Sequence, residues 1–376
     1  MQIYEVKAGD SLWAIARRFS RTTEELAAAN QLADPARLVP GLALVIPGPG
    51  ASPRRSVEVN AYVYPNVSAD ALAAALPFCT SLCPFSYAAT EEGELTPIED
   101  TRLIEAAYAA SAVPLLTVTN LGETGFSSRI GHAVLTDQAV QDRVLDGILA
   151  LIREKDYYGL NLNFEYLYPF DRDSYSQFVA RAAELLHPLG CPVSTAIAPK
   201  ERDDQPGFLY AAHDYAAHGR YADRVILMTY EWGYTFGAPQ AVSPVDRIRR
   251  VLDYAVTGIP REKILMGFSN YAYDWTLPWK QGTAARLLSN AGAQELAISR
   301  GAEVRYDAAS AAPWFHYADA EGKTHVVWFE DVRSALARLK LVEEYGLAGL
   351  SIWTADRLWR PALAALESLY DVEKVI

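Results

Sequence analysis

The segment YGLNLNFEY, Tyr158 to Tyr166, places Asn161, Asn163 and Glu165 at every second position, with Leu160, Leu162 and Phe164 between them. Side chains two apart share a face of an extended strand, so the spacing predicts one apolar face and one bearing two amides and a carboxyl. A carboxyl withdrawn from water has a raised pKa, and one that keeps its proton near neutral pH can serve as a general acid. The competing reading is an internal polar layer whose members satisfy one another through hydrogen bonds. A carboxyl is an expensive choice for such a layer unless a partner compensates its burial.

Positioning that face requires a sheet. From Ser56 onward, short apolar runs alternate with amphipathic helical stretches, and eight strands are predicted, at 57–64, 78–87, 113–120, 159–165, 191–198, 224–232, 264–272 and 347–353. Helices such as DQAVQDRVLDGILALIREK and RDSYSQFVARAAELLHPL lie between them, the latter capped by Asp171 or Asp173. Eight strand-helix units suit an α/β fold of the closed parallel (β/α)8 TIM barrel kind better than an open sheet. Leu160, Leu162 and Phe164 then face the helices, while Asn161, Asn163 and Glu165 point inward, Glu165 nearest the carboxyl end where such barrels keep their active sites. Residues 275–330 break the rhythm with a helix, GTAARLLSNAGAQELAISRG, and two strand-like runs, WFHYAD and HVVWFE. They predict a small α+β insertion after the seventh strand that walls one side of the barrel mouth.

Ahead of the barrel, residues 1–47 predict a small βααβ unit, with Asp10 or Ser11 capping the first helix and Thr22 or Thr23 the second. Pro, Gly and Ser mark a linker at 48–56, leaving 57–376 to the barrel. The net charge of −12 excludes a nucleic-acid partner, since phosphate binding needs clustered Lys and Arg. The longest apolar runs are too short and interrupted to insert in a membrane. Cys79, Cys83 and Cys191 make no paired disulfide framework and are expected as reduced thiols. Six scattered histidines lack ligand spacing, so neither metal nor organic cofactor is expected. The chain begins MQIYEV, without the basic and apolar regions of a secretory signal.

Several long segments carry a resemblance. YGLNLNFE is similar to the DGxDxDxE strand of glycoside hydrolase family 18, and VEVNAYVYPN, APKERDDQPGFLYAAHDY, LMTYEWGYTFG, REKILMGFSNYAYDW and LAGLSIW extend the likeness around the barrel. Together they resemble the spore cortex-lytic N-acetylglucosaminidase branch. The resemblance implies substrate-assisted, retaining cleavage of β-1,4-linked N-acetylglucosamine, in which the substrate's N-acetyl oxygen attacks the anomeric carbon and the enzyme supplies one acid. That acid matches Glu165. Asn163 stands where the family usually has Asp to hold the acetamide N–H, and Asn161 also replaces a carboxylate. Tyr230 matches the tyrosine bonded to the acetamide carbonyl, Met228 shares its face, and Glu231 is expected as a compensating carboxylate. Trp353 matches the tryptophan under the reacting sugar, while Tyr62, Tyr271 and Asp274 are expected to line the groove.

The stretches YEVKAGDSLWAIARRF, AAAN and LVPGLALVIP resemble one LysM module, a peptidoglycan and chitin binding fold. The resemblance implies a sugar groove at Gly9, Asp10, Ser11 and Leu12 with Asn30, Gln31, Pro40 and Gly41. The expected partner is therefore peptidoglycan, or a chitin-like N-acetylglucosamine polymer, and the expected place is the boundary of spore coat and cortex, or otherwise the cytoplasm. Loss of the two anions beneath Glu165 motivates one rival reading, an inactive glycan-binding barrel; a second, a chitinase, differs in substrate only.

Overall fold

A computed structural model describes residues 1–48 and 54–376. Most of the expected linker, 49–53, lies outside the described residues, and Arg55 and Ser56 already belong to the first barrel strand.

In the N-terminal unit, strands Gln2–Glu5 and Ala43–Ile46 pair antiparallel around helices Leu12–Arg18 and Thr23–Ala29. Ser11 caps the first helix by accepting from Ala14 N–H at 3.2 Å, because the Asp10 carboxylate is taken by Lys7 N–H and the Tyr4 hydroxyl. Thr22 and Glu25 form a reciprocal capping box on the second.

The barrel strands are Arg55–Val63, Ser81–Pro84, Val113–Thr119, Gly159–Asn163, Val193–Ile197, Arg224–Leu227, Ile264–Ser269 and Gly349–Trp353. Each pairs in parallel with the next, and the eighth returns to the first, closing the cylinder. The alternation read in the fourth strand holds. Leu160, Leu162 and Phe164 are fully buried among the helices with Phe178, Val179 and Leu186, whereas the interior is filled by Tyr62, Cys83, Leu115, Ala196, Ile226 and Leu265. Cys79 and Cys83 are buried free thiols whose pKa burial pushes up to about 12. Among the described residues no helix is long and apolar enough to cross a membrane.

Three expected elements are shorter or displaced. The sixth strand stops at Leu227, so Met228 to Glu231 form an irregular lip, and Glu231 adopts a left-handed φ of 66°. The seventh breaks at Asn270, after which Tyr271–Thr276 starts the insertion's own sheet. That sheet has five antiparallel strands, and the helix expected from Gly282 begins only at Asn290, under a Ser289 cap, since 286–289 pair as a strand. Asp171 precedes the helix Arg172–Leu186 but makes no cap bond, because its carboxylate is bonded to His132 at 2.8 Å.

The N-terminal unit shares a core with this insertion. Leu12, Leu26 and Leu44 belong to one apolar cluster with Ala293, Ile298 and Phe315. Val304 N–H donates to the Pro40 carbonyl at 2.9 Å, and Gln294 donates to the Asn30 carbonyl at 2.9 Å. Gly41 lies at φ 81°, where an added Cβ would sit 1.8 Å from the Val304 carbonyl oxygen; Gly9, at φ 86°, has open space instead. Gly9→Ala should therefore cost only its backbone strain, about 1 kcal/mol. Gly41→Ala must also push the two units apart and should lower the thermal unfolding midpoint clearly further. Equal midpoints for the two variants would show that this junction contributes nothing to stability.

Candidate active site

Beyond the carboxyl ends of the strands lies a cavity of about 900 Å³. Its walls include Tyr62, Asn163, Glu165, Met228, Tyr230, Glu231 and Trp353 from the sequence analysis, together with Phe85, Tyr166, Tyr210, Trp232 and Tyr234. The first group comes from loops and strand ends on four different staves, which only barrel closure brings together.

Glu165 lies two residues past the end of its strand, where the ladder no longer fixes the backbone. A side chain does so instead. Asn120, fully buried at the end of the third strand, accepts from Glu165 N–H at 2.9 Å and donates to the Glu165 carbonyl at 2.8 Å. Its amide also donates to the Ser127 carbonyl at 3.0 Å, while its own carbonyl accepts from Ser127 N–H. On the other side, His213 Nδ1 accepts from Ala198 N–H at 2.9 Å, so Nε2 carries the proton bonded to the Phe164 carbonyl at 3.0 Å. Burial pushes His213 down to about 4, keeping it neutral in this role. With Phe164 packed outward, the Glu165 carboxyl turns into the cavity.

Withdrawal from water pushes the Glu165 carboxyl up to about 7; the Asn163 side chain, hydrogen-bonded to it, opposes the rise and the nearby Glu231 charge adds to it. Glu231 is itself raised by burial, against the pull of Tyr271 and Tyr273, whose hydroxyls donate to it at 2.6 and 3.1 Å. Asn163 is 3% exposed, and its Oδ1 has no hydrogen-bond partner. An unsatisfied buried acceptor costs roughly 1–3 kcal/mol, and here it stands in a cavity wall beside a carboxyl that can hold a proton. Trp353 is framed edge-on by Tyr62 and Phe85, with ring centroids at 5.4 and 4.9 Å.

Asn161 and two of the three expected lining residues, Tyr271 and Asp274, sit elsewhere. Asn161 is sealed beneath the floor, accepting from the Tyr62 hydroxyl at 2.8 Å and donating to Ser194 at 2.9 Å, so it supports the cavity from below. Tyr271 lies behind Glu231 and holds it. Asp274 is buried in the insertion sheet, bonded to Arg286, Tyr317 and His325. The expected groove of the N-terminal unit is also divided. Gly9, Asp10 and Ser11 remain on the surface, but Leu12 is core and Asn30 is buried, its amide bonded to Leu26 and Val45. Gln31 accepts from Arg360 N–H, and Pro40 and Gly41 meet the insertion and Arg333. Asn120 and His213 escaped the sequence reading. The first ends an apolar run as turn residues do, and the second is one histidine among several; only the fold aims them at the peptides flanking Glu165. Among the described residues no cluster of His, Cys, Asp or Glu could hold a metal ion.

The profile of glycosyl hydrolases family 18 matches residues 83–357, and that of the LysM domain matches residues 4–47. The chain is 42% identical to a cortical fragment-lytic enzyme of Bacillus subtilis (strain 168), with 94% of each chain covered. Among solved structures it is similar to the spore cortex-lytic enzyme SleL of Bacillus megaterium QM B1551, with a TM-score of 0.83 and 34% identity over 100% of this chain and 87% of that one. A chitinase from Chromobacterium violaceum matches at a TM-score of 0.77 and 27% identity, covering 84% and 100% of the two chains. The chain belongs to glycosyl hydrolases family 18, carries a LysM domain at its N-terminus, and is a glycosidase.

Since a displacement of about 1 Å in a reacting group can cost on the order of a hundredfold in rate, Asn120→Ala should lower kcat by about that factor while changing KM little. Steady-state kinetics on a folded variant checks this; a change confined to KM would mean that Asn120 acts on binding and not on the placement of Glu165.

Proposed function

We propose that the chain cleaves β-1,4-linked N-acetylglucosamine in spore cortex peptidoglycan by substrate-assisted, retaining catalysis. The observation that carries this reading is the pairing of a carboxyl near pKa 7 with the orphaned Asn163 oxygen in one cavity wall. An acetamide N–H supplies what that oxygen lacks. Binding there orients the acetamide so that its carbonyl oxygen can attack the anomeric carbon, with the Tyr230 hydroxyl donating to the same oxygen. Glu165 gives its proton to the departing glycosidic oxygen, then as carboxylate takes one from the water that opens the cyclic intermediate. The intermediate is cationic, and Asn163 carries no charge to balance it. Glu231, hydrogen-bonded in the same wall, is the anion that remains.

The indole of Trp353 offers an apolar face to the C–H surface of the sugar ring. Kinship with a cortical fragment-lytic enzyme and with SleL supports cortex as the polymer and the spore's coat and cortex boundary as the place of action. The LysM domain adds a hold on the glycan through the part of its groove that stays on the surface. A chitinase would differ in substrate alone, and comparing cortex fragments with chitin oligomers of equal length separates the two.

Glu165→Gln should abolish release of reducing ends from cortex fragments while the variant still binds them. Residual turnover within tenfold of the parent would remove Glu165 from the acid's role.

Because the acid must be protonated, kcat/KM should fall as pH rises through about 7. Glu231→Gln removes a neighbouring negative charge, lowers the Glu165 pKa and should move this limb toward acid. Asn163→Asp adds one and should move it toward alkali, with a maximal rate equal to or above the parent's. Shifts in the opposite directions in a pH–rate profile would refute the electrostatic account.

A further inference from the structure

The described residues include eight exposed aromatic side chains, and six of them, Tyr64, Tyr166, Phe170, Phe208, Tyr234 and Phe236, stand on loops that follow barrel strands around the cavity mouth. Those after the fourth and fifth strands are organised. Tyr168 and Phe170 stack with centroids 5.1 Å apart and planes 14° from parallel, and Phe208 meets Tyr168 edge-on at 6.1 Å. The His132 ring stands edge-on against both members of the stack, at 5.7 and 5.6 Å, and is fixed by its bond to the buried Asp171 carboxylate. The group is thus anchored from below while Phe170 stays 72% exposed.

Exposed aromatic surface forgoes the free energy that burial would return, and none of the described residues covers these rings. The platform continues the cavity wall: Tyr166 precedes Tyr168 by two residues, and Leu209 and Tyr210, which follow Phe208, line the cavity. A β-linked sugar polymer whose reacting unit lies at Glu165 must leave the cavity somewhere, and flat apolar faces suit the C–H surfaces of its rings. The LysM domain meanwhile has given Asn30, Gln31, Pro40 and Gly41 to its junction with the barrel and the barrel's insertion.

We propose that Tyr168, Phe170 and Phe208 form an outer site for a sugar ring of the glycan strand beyond the cavity, making the enzyme selective for long chains. This rests on the glycan reading of the cavity.

The test uses the full chain with N-acetylglucosamine oligomers of two lengths, one filling the cavity alone and one extending past it, and reads the ratio of kcat/KM for long over short. Phe170→Ala and Phe208→Ala should each lower that ratio roughly five- to tenfold through KM, and Phe170→Tyr should restore most of it. An unchanged ratio in both alanine variants, or an equal fall for both lengths, overturns the proposal. Binding of the long oligomer to the Glu165→Gln protein, with and without Phe170→Ala, separates the two readings. A parent protein without turnover would sink the proposed reaction, whereas a Phe170-independent affinity would sink the outer site.

Discussion

A carboxyl can wait with its proton near neutral pH only if it is kept from water and from stronger partners, and Glu165 is placed by a hydrogen-bonded peptide that secures both conditions. The fourth strand ends before reaching it, so the sheet does not place it. Asn120 replaces the missing ladder by pairing with both polar groups of the Glu165 backbone, and His213 fixes the preceding carbonyl. Two neutral side chains do this work, which matters electrostatically. A cation in either position would pull the carboxyl's pKa down and favour loss of its proton.

The same economy of charge runs beneath the site. Where family 18 usually sets aspartates, this barrel has Asn161 and Asn163, and each amide divides its capacity. Asn161 uses both ends internally, tying Tyr62 to Ser194 across the barrel floor. Asn163 is bonded to Glu165 and leaves its oxygen unanswered. Removing the anions relieves repulsion on Glu165 but takes away the counter-charge for a cationic intermediate. In the proposed reaction that burden would fall on Glu231, whose left-handed backbone and two tyrosine donors hold it at the lip. The insertion matters here as more than a wall, because Tyr271 and Tyr273 come from its first strand.

The N-terminal domain is bound into this arrangement. Its core is continuous with that of the insertion, and the loop holding Pro40 and Gly41 closes on Val304 and Arg333. A module tethered by a free linker would search a volume around the enzyme. Packed as it is, it presents one fixed face, and only part of the expected LysM groove stays outside the junction.

Sequence alone determined what depends on local periodicity and on chemistry within one strand. The alternation in YGLNLNFEY settles which side chains share a face, since a pleated backbone allows no other division. Strand-helix repetition settles the barrel, and the run from Met228 to Glu231 already carries the residue types of the lip. Tertiary structure decided the relations that period and composition do not encode. Asn161 and Asn163 are identical in type and both point inward, yet only the depth of the cavity makes one a support and the other an open acceptor. Asp274 is expected from sequence to line the groove, and the insertion sheet encloses it instead with Arg286, Tyr317 and His325. Asn120 stands forty-five positions from Glu165, and a hydrogen bond across that separation exists only because closing the barrel sets the third and fourth strands side by side.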